Sequence, residues 1–406
     1  MGRMAFRAFI VLVCGLAVSH AQESLIESLI QPRTQYFPGT HDNIHLEMVF
    51  NYNLANPKKE AGKVDMVWAS NFPNQPAGVY NTSYIPYSVD NFTHTVKWYQ
   101  RFHPDWLEYL CDRKTLAFEF GATTLAPIDF ANPDVKAYQW KNWVDAPLAQ
   151  GFGGIAVDTM SASSNWGRCG HYDRSGNWVQ QYSGKSNDPT YQRDELNWEY
   201  DTYTHVHNYS KTATMQVNVS YEFGYSREVN LQLMTTADLL FDERGFSNYG
   251  SPPDVPPPAQ WERIFDVLEY VQAKGVCYTT NGEESELTSE IPQSARLWVI
   301  ANYLLVKNDC TYMYISGFLA GGGQDYGSLI LFPEYSIQIG HPTGAISKTD
   351  GVYERVYSGG LTLVNPYHAT ATVTLPSGAY VDVNGNPVGP TVTMEAQTGL
   401  VLLKAE

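Results

Sequence analysis

Along the first three quarters of the chain, short apolar runs alternate with longer stretches whose apolar residues recur at helical spacing. The runs at 44–50, 64–70 (VDMVWAS), 106–111 (WLEYLC), 151–160 (GFGGIAVDTM), 213–219, 237–241, 276–280 and 311–316 read as strands. Most are continuous rather than alternating, as in parallel strands covered on both faces. The stretches 94–103, 135–150, 191–209, 227–235, 259–274 and 294–307 read as helices. Pro104 stops the first, and Asn132 with Pro133 offers a cap and a first helical residue for the second. Residues 71–86 read as a Pro/Gly-rich loop, while LAFEF and APIDF, between 115 and 130, are shorter β-like runs. This alternation of strand and helix predicts the α/β class and a (β/α)8 TIM barrel. Near Gly340 the period drops to two, and Asn384-Gly385 is a hairpin turn signal, so a small all-β, β-sandwich domain is expected to close the chain.

Composition narrows the partners. The 406 residues carry a formal net charge of -16, which disfavours nucleic acid and anionic membranes and leaves neutral molecules as the expected ligands. The 28 Tyr and 10 Trp suit either a core or a groove that stacks sugar rings. At the N-terminus, Arg3 and Arg7 precede an apolar run and the tripeptide Ser19-His20-Ala21, the pattern of a secretory signal peptide. The expected organisation is a signal peptide at 1–21, a barrel at 22–340 and a β-sandwich at 341–406. No later run is long enough to span a membrane, so a secreted, extracellular monomer is expected. Sequons stand at Asn81, Asn91, Asn208 and Asn218.

Once Cys14 leaves with the signal, Cys111, Cys169, Cys277 and Cys310 remain, an even set that suits two disulfides and lacks the close spacing of zinc sites. Cys111 ends one strand and Cys169 lies in the loop after Asp158. Cys277 and Cys310 start consecutive strands at the other end of the barrel. The expected pairs are therefore Cys111 with Cys169 and Cys277 with Cys310.

In a (β/α)8 barrel, a side chain just past a strand points into the mouth. Asp158 holds such a place after the run Ile155, Ala156, Val157, and Asp242 and Glu243 follow the run at 239–241. Only one of that adjacent pair can face the mouth, and the longer Glu243 is the better candidate. A strand-end Asp can equally cap a loop, and a DER triplet can be a surface ion pair. Glu119, Asp129, Asn165, Trp166, Asn218, Asp242 and Asn248 are candidates for substrate binding, although Asp129 also suits the start of the helix at Asn132. The histidines show no metal spacing, and no phosphate-binding loop or nucleophile elbow occurs, so neither a metal nor a cofactor is expected.

The segments HPDWLEYLCDR, IDFANPDVKAYQW, GFGGIAVDTM, NWGRCGHY, DLLFDERGFSN, SGGLTLVNP and GAYVDVNGNPVG, in this order, span nearly the whole mature chain. Together they resemble an uncharacterised family of hypothetical secreted glycosyl hydrolases with a (β/α)8 barrel and a C-terminal β-sandwich. The resemblance implies a carbohydrate substrate and catalysis by Asp158 and Glu243. The chain departs from the family pattern at Thr159, where Asn is usual, and at Arg244, where Gly is usual. Two functions follow as expectations: a glycosidase working through two carboxyls, or a catalytically silent barrel that binds glycans. In the first, a more polar setting would keep Asp158 ionised, and burial among rings such as Trp166 would keep Glu243 protonated as the acid.

Overall fold

Eight parallel strands form the centre of the computed structural model, which describes residues 33–50, 62–73, 75, 78–90, 93–164, 166–219, 227–248, 254–326, 328 and 330–405. The expected signal peptide and the candidates Asn91 and Asn165 lie outside the described residues. The strands are β1 (Glu47–Val49), β2 (Met66–Ser70), β3 (Tyr80–Ile85), β4 (Gly154–Met160), β5 (Thr214–Val219), β6 (Leu239–Asp242), β7 (Cys277–Leu287) and β8 (Thr311–Phe318). Each pairs in parallel with the next. A parallel bridge between Leu46 and Met313 brings β8 back to the start of β1 and closes the ring. Parallel closure places every C-terminal strand end at one mouth, and this alone gathers distant residues into one site.

The helices that cover the barrel begin where local chemistry allows. These are α1 (Val96–Phe102), α2 (Pro133–Gln139), α3 (Ala146–Gln150), α4 (Pro189–Tyr209), α5 (Arg227–Thr235), α6 (Pro258–Ala273) and α7 (Gln293–Val306). Asn132 caps α2 by accepting from the Asp134 amide, and Pro133 needs no partner in the first turn. Asp188 caps α4 by accepting from Thr190 and Tyr191. A π-helical turn, Trp140–Asp145, joins α2 to α3 in what the pattern reads as one helix.

Three strand expectations are corrected. The run 71–86 is not all loop, because Tyr80–Ile85 is the third barrel strand. Its polar residues are satisfied internally: Thr82 Oγ1 accepts from the Ala69 amide, and Asn81 Nδ2 donates to the carbonyls of Phe72 and Pro73. The 106–111 run contributes only Tyr109–Leu110, which pairs antiparallel with Arg168–Tyr172 outside the barrel. LAFEF forms no strand, and APIDF gives only Ala126–Pro127, paired with Val89–Asp90. The side chain of Asp112 accepts from the amides of Lys114 and Thr115, turning the chain before a barrel strand can form. Both expected disulfides are present, Cys111–Cys169 and Cys277–Cys310.

The C-terminal residues form antiparallel sheets with their own core of Val352, Leu361, Leu363, Val373, Leu375, Tyr380, Met394 and Leu402. These sheets cover α7. From Trp298 to Val306 every residue of α7 is buried, so the helix is apolar on both faces and needs a cover on each. Thr362 Oγ1 donates to the Ala301 carbonyl and Arg355 Nη1 to the Leu305 carbonyl. At Gly399 a Cβ would stand 2.7 Å from that of Ala301, so glycine permits the close approach. Deleting 341–406 should therefore strip one face of α7 and give aggregated protein by size-exclusion chromatography. A monomeric truncation with cooperative unfolding would refute this role.

Two buried acids tie stability to pH. Glu47 in β1 and Glu195 in α4 are fully buried, and burial pushes each up to about 8, against opposing hydrogen-bonding neighbours. The folded protein thus holds protons that the unfolded chain releases near pH 4.3. Their contribution is complete below that value and is lost as pH rises through about 8, at about 1.4 kcal/mol per pH unit for each group. The melting temperature should fall steadily from pH 5 to about 8 and level off above it. Glu47→Gln should flatten that fall in a calorimetric pH series, and an unchanged slope would show that Glu47 is not a source of it.

Candidate active site

Six side chains from successive strand ends meet at the mouth. Asp158 stands near the end of β4, Asn218 near the end of β5, Glu243 just after β6 and Glu283 within β7. Tyr84 comes from β3 and Tyr326 from the segment after β8. The Asn218 amide joins the two expected acids. Its Nδ2 donates to Asp158 Oδ1 and to Glu243 Oε2, both at 2.9 Å. An amide presents its two hydrogens about 120° apart, so acceptors at that distance stand roughly 5 Å from each other.

The other oxygens are held as well. Tyr84 donates to Asp158 Oδ2 at 2.9 Å, and the Thr159 amide donates to Asp158 Oδ1 at 2.8 Å. Tyr326 lies 2.6 Å from Glu243 Oε1 and 2.5 Å from Glu283 Oε1. A hydroxyl has one hydrogen, so one of these short contacts needs a protonated carboxyl. Burial, then the charge of Glu243, pushes Glu283 up to about 8. Asp158 is set deep although part of its surface is open. Burial and then the Glu243 charge raise it to about 6, against its hydrogen bonds to Asn218, Tyr84 and Thr159. This departs from the expectation of a more polar setting for Asp158.

Local backbone aims these groups. Thr159 has a φ of 63°, which is costly for a β-branched residue, and the register of β4 against β5 slips between Val217 and Val219. That bulge turns the strand at Asp158. After β6, Gly245 (φ 54°) packs so closely on Asn281 that a Cβ would stand 1.9 Å from its carbonyl oxygen. Asp242 Oδ1 accepts from the Gly245 amide, so this acid belongs to the turn, while Glu243 reaches Asn218 and Tyr326.

The remaining candidates go elsewhere. Glu119 is 2% exposed and accepts from Arg168 and Ser88, and Arg168 also bridges to Glu108. Asp129, 1% exposed, accepts from the Ala131 amide and Gln181 and lies 3.3 Å from His171 Nδ1. Both acids are structural partners in this arrangement rather than members of the Asp158 cluster. Trp166 packs on the exposed Phe120, with ring centres 4.6 Å apart, and the rings near the carboxyls are instead Phe50, Trp68, Tyr84 and Tyr326, in edge contact with one another. Asn248 is partly exposed beyond the turn after β6. Of the sequon residues, Asn81 and Asn218 are buried with their amide nitrogens engaged, which leaves no room for a glycan on either, while Asn208 is exposed at the end of α4. Glu283, Tyr84 and Tyr326 were absent from the sequence-derived set. The groups of metal-ligand type among the described residues, His41 with Asp42 and His341, and Asp254 with Glu284 and Glu286, do not include Asp158, Glu243 or Glu283.

No protein-family model and no curated protein matches the sequence. Among solved structures, the chain is similar to an α-amylase from Anoxybacillus at 12% identity and a TM-score of 0.50, covering 90% of this chain and 98% of that one. It is also similar to the α-glucosyl transfer enzyme XgtA, at 10% identity and a TM-score of 0.52, with 92% and 100% covered. An α-amylase from Lactobacillus plantarum matches at 12% identity and a TM-score of 0.50, with 93% and 100% covered. The shared feature is the fold, a TIM barrel followed by a C-terminal β domain. No helix among the described residues is long and apolar enough to cross a membrane.

Proposed function

We propose that the chain is a secreted glycoside hydrolase acting with retention on neutral sugars, with Asp158 as nucleophile and Glu243 as acid and base. The observation that carries this reading is the single Asn218 amide shared by the two carboxyls, whose two bound oxygens, as acceptors of one amide nitrogen, stand roughly 5 Å apart. That spacing suits direct attack, whereas inversion needs ~6.5–9.5 Å to admit a water. In the first step, Asp158 attacks the anomeric carbon as the glycosidic C–O bond breaks and Glu243 gives its proton to the leaving oxygen. In the second, Glu243 takes a proton from water, which attacks the same carbon and frees Asp158. Tyr84 and Asn218 hold the nucleophile in position, and Tyr326 and Asn218 hold the acid. The fold shared with α-amylases supports sugar chemistry at this mouth. Two disulfides suit an oxidising compartment, and the net charge of -16 argues against polyanionic glycans.

A polysaccharide panel read by released reducing ends, followed by NMR of the first product, tests this directly. The new reducing end should keep the anomeric configuration of the bond cleaved, and Asp158→Asn and Glu243→Gln should each lower kcat by roughly 10^3-fold or more while melting normally. Turnover near normal in either variant would remove that residue from the reaction. Glycan binding without turnover by the wild-type protein would favour a binding protein instead.

The pH profile offers a further check. Asp158 must be ionised to attack, so kcat/KM should fall tenfold per unit below about pH 6. Asn218→Ala removes a hydrogen bond that holds this carboxyl down, so the acid limb should move to higher pH. An unmoved limb would mean that another group controls it.

A further inference from the structure

Beyond Glu283, β7 stops following its neighbour. Glu283 is paired with Ser316 and Leu287 with Phe318, so residues 284–286 oppose Gly317 alone. This bulge presents Glu284 and Glu286 to Asp254, which stands before the Pro-rich entry to α6. One carboxylate oxygen from each of the three lies within 4.8 Å of those of the other two. Asp254 Oδ2 accepts from Ser285 Oγ at 2.8 Å. Two further oxygens stand out, because Glu284 is 1% exposed and its Oε2, like Asp254 Oδ1, is buried with no hydrogen-bond partner among the described residues.

Three converging carboxylates can be neutralised by a proton or by a cation. Either would have to reach Glu284, whose Oε2 is left with no partner among the described residues. Carboxylate oxygens within 4.8 Å of one another have the spacing of ligands on one ion, each about 2.3–2.6 Å from it. The donors are all carboxylate oxygens, which suit a hard cation and not zinc.

We propose that Asp254, Glu284 and Glu286 bind a calcium ion that fastens the Pro-rich entry to α6 onto the bulge of β7, next to Glu283. The ion is structural and takes no part in the two-carboxyl reaction. Its loss should loosen the mouth at Glu283 without removing a reacting group.

The full-length protein, stripped with EDTA and desalted, should gain several degrees in melting temperature in millimolar calcium. Magnesium at the same concentration should give a much smaller gain. Terbium should bind saturably, with luminescence sensitised by nearby aromatic rings, and calcium should displace it. Glu284→Gln should abolish both responses while unfolding cooperatively, and His41→Ala should keep them. Asp254→Asn, at the less buried ligand, provides the same readout if Glu284→Gln does not fold. No calcium-dependent shift and no saturable terbium signal in the wild-type protein would overturn the site. So would an undiminished calcium response in both ligand variants, and a higher melting temperature for Glu284→Gln than for a calcium-insensitive wild type would identify a buried protonated acid instead.

Discussion

Two carboxyl groups share the Asn218 amide in a partly desolvated mouth, and the surrounding structure answers the repulsion this creates. Were both ionised, two full charges roughly 5 Å apart would repel by about 3 kcal/mol at an effective dielectric constant near 20. Hydrogen bonds to charged groups contribute about 1.5–3 kcal/mol each, so the donors from Asn218, Tyr84, Tyr326 and the Thr159 amide can outweigh that repulsion. The balance explains why Asp158 is raised only to about 6 although burial and Glu243 both push it upward.

The donors are in place because the barrel departs from regularity at its mouth. β4 bulges at the strained Thr159, and the turn after β6 closes on a glycine that admits no side chain. After β8, Gly322 and Gly323, both at φ 86°, reverse the chain, and the Asp325 amide donates back to the Gly317 carbonyl. The Gly321-Gly322-Gly323 run thus acts as the turn that returns Tyr326 to Glu243. Strain at such points is tolerated because the eight-stranded ring beneath fixes where each segment begins.

The readable and unreadable parts of the sequence divide along a physical line. Asp158 and Glu243 stand out because each follows an apolar run that stops abruptly, and the fold then carries both strand ends to one side. The disulfides were legible because the barrel rhythm puts Cys277 and Cys310 at neighbouring strand starts. β3 was hidden because Asn81, Thr82 and Ser83 give it the composition of a loop, and only contacts from distant carbonyls and amides let them enter the sheet. Glu283 sits in the polar run GEESEL, where no change from apolar to acidic marks it. Tyr84 and Tyr326 are two among 28 tyrosines, distinguished only by what they touch. Glu119 illustrates the reverse case, since a carboxylate on a β-like run looked available until Arg168, from a segment read as loop, claimed it.

In the proposed reaction, the hydrogen bonds that hold Glu243 in the free protein need not be broken for it to act as the acid. Glu243 accepts from Asn218 on one oxygen and from Tyr326 on the other, and each carboxylate oxygen can accept twice. One position therefore remains on each oxygen for a proton or a leaving group. The same count applied to Asp158 is tighter: Oδ1 already takes Asn218 and the Thr159 amide, whereas Oδ2 takes only Tyr84. Under the proposed mechanism, the oxygen with capacity to form a bond to carbon would be Oδ2, the one that Tyr84 orients. Since Tyr84 belongs to the strand least visible in the sequence, the orientation of the Asp158 carboxyl is set by β3 as much as by β4, the strand that carries it.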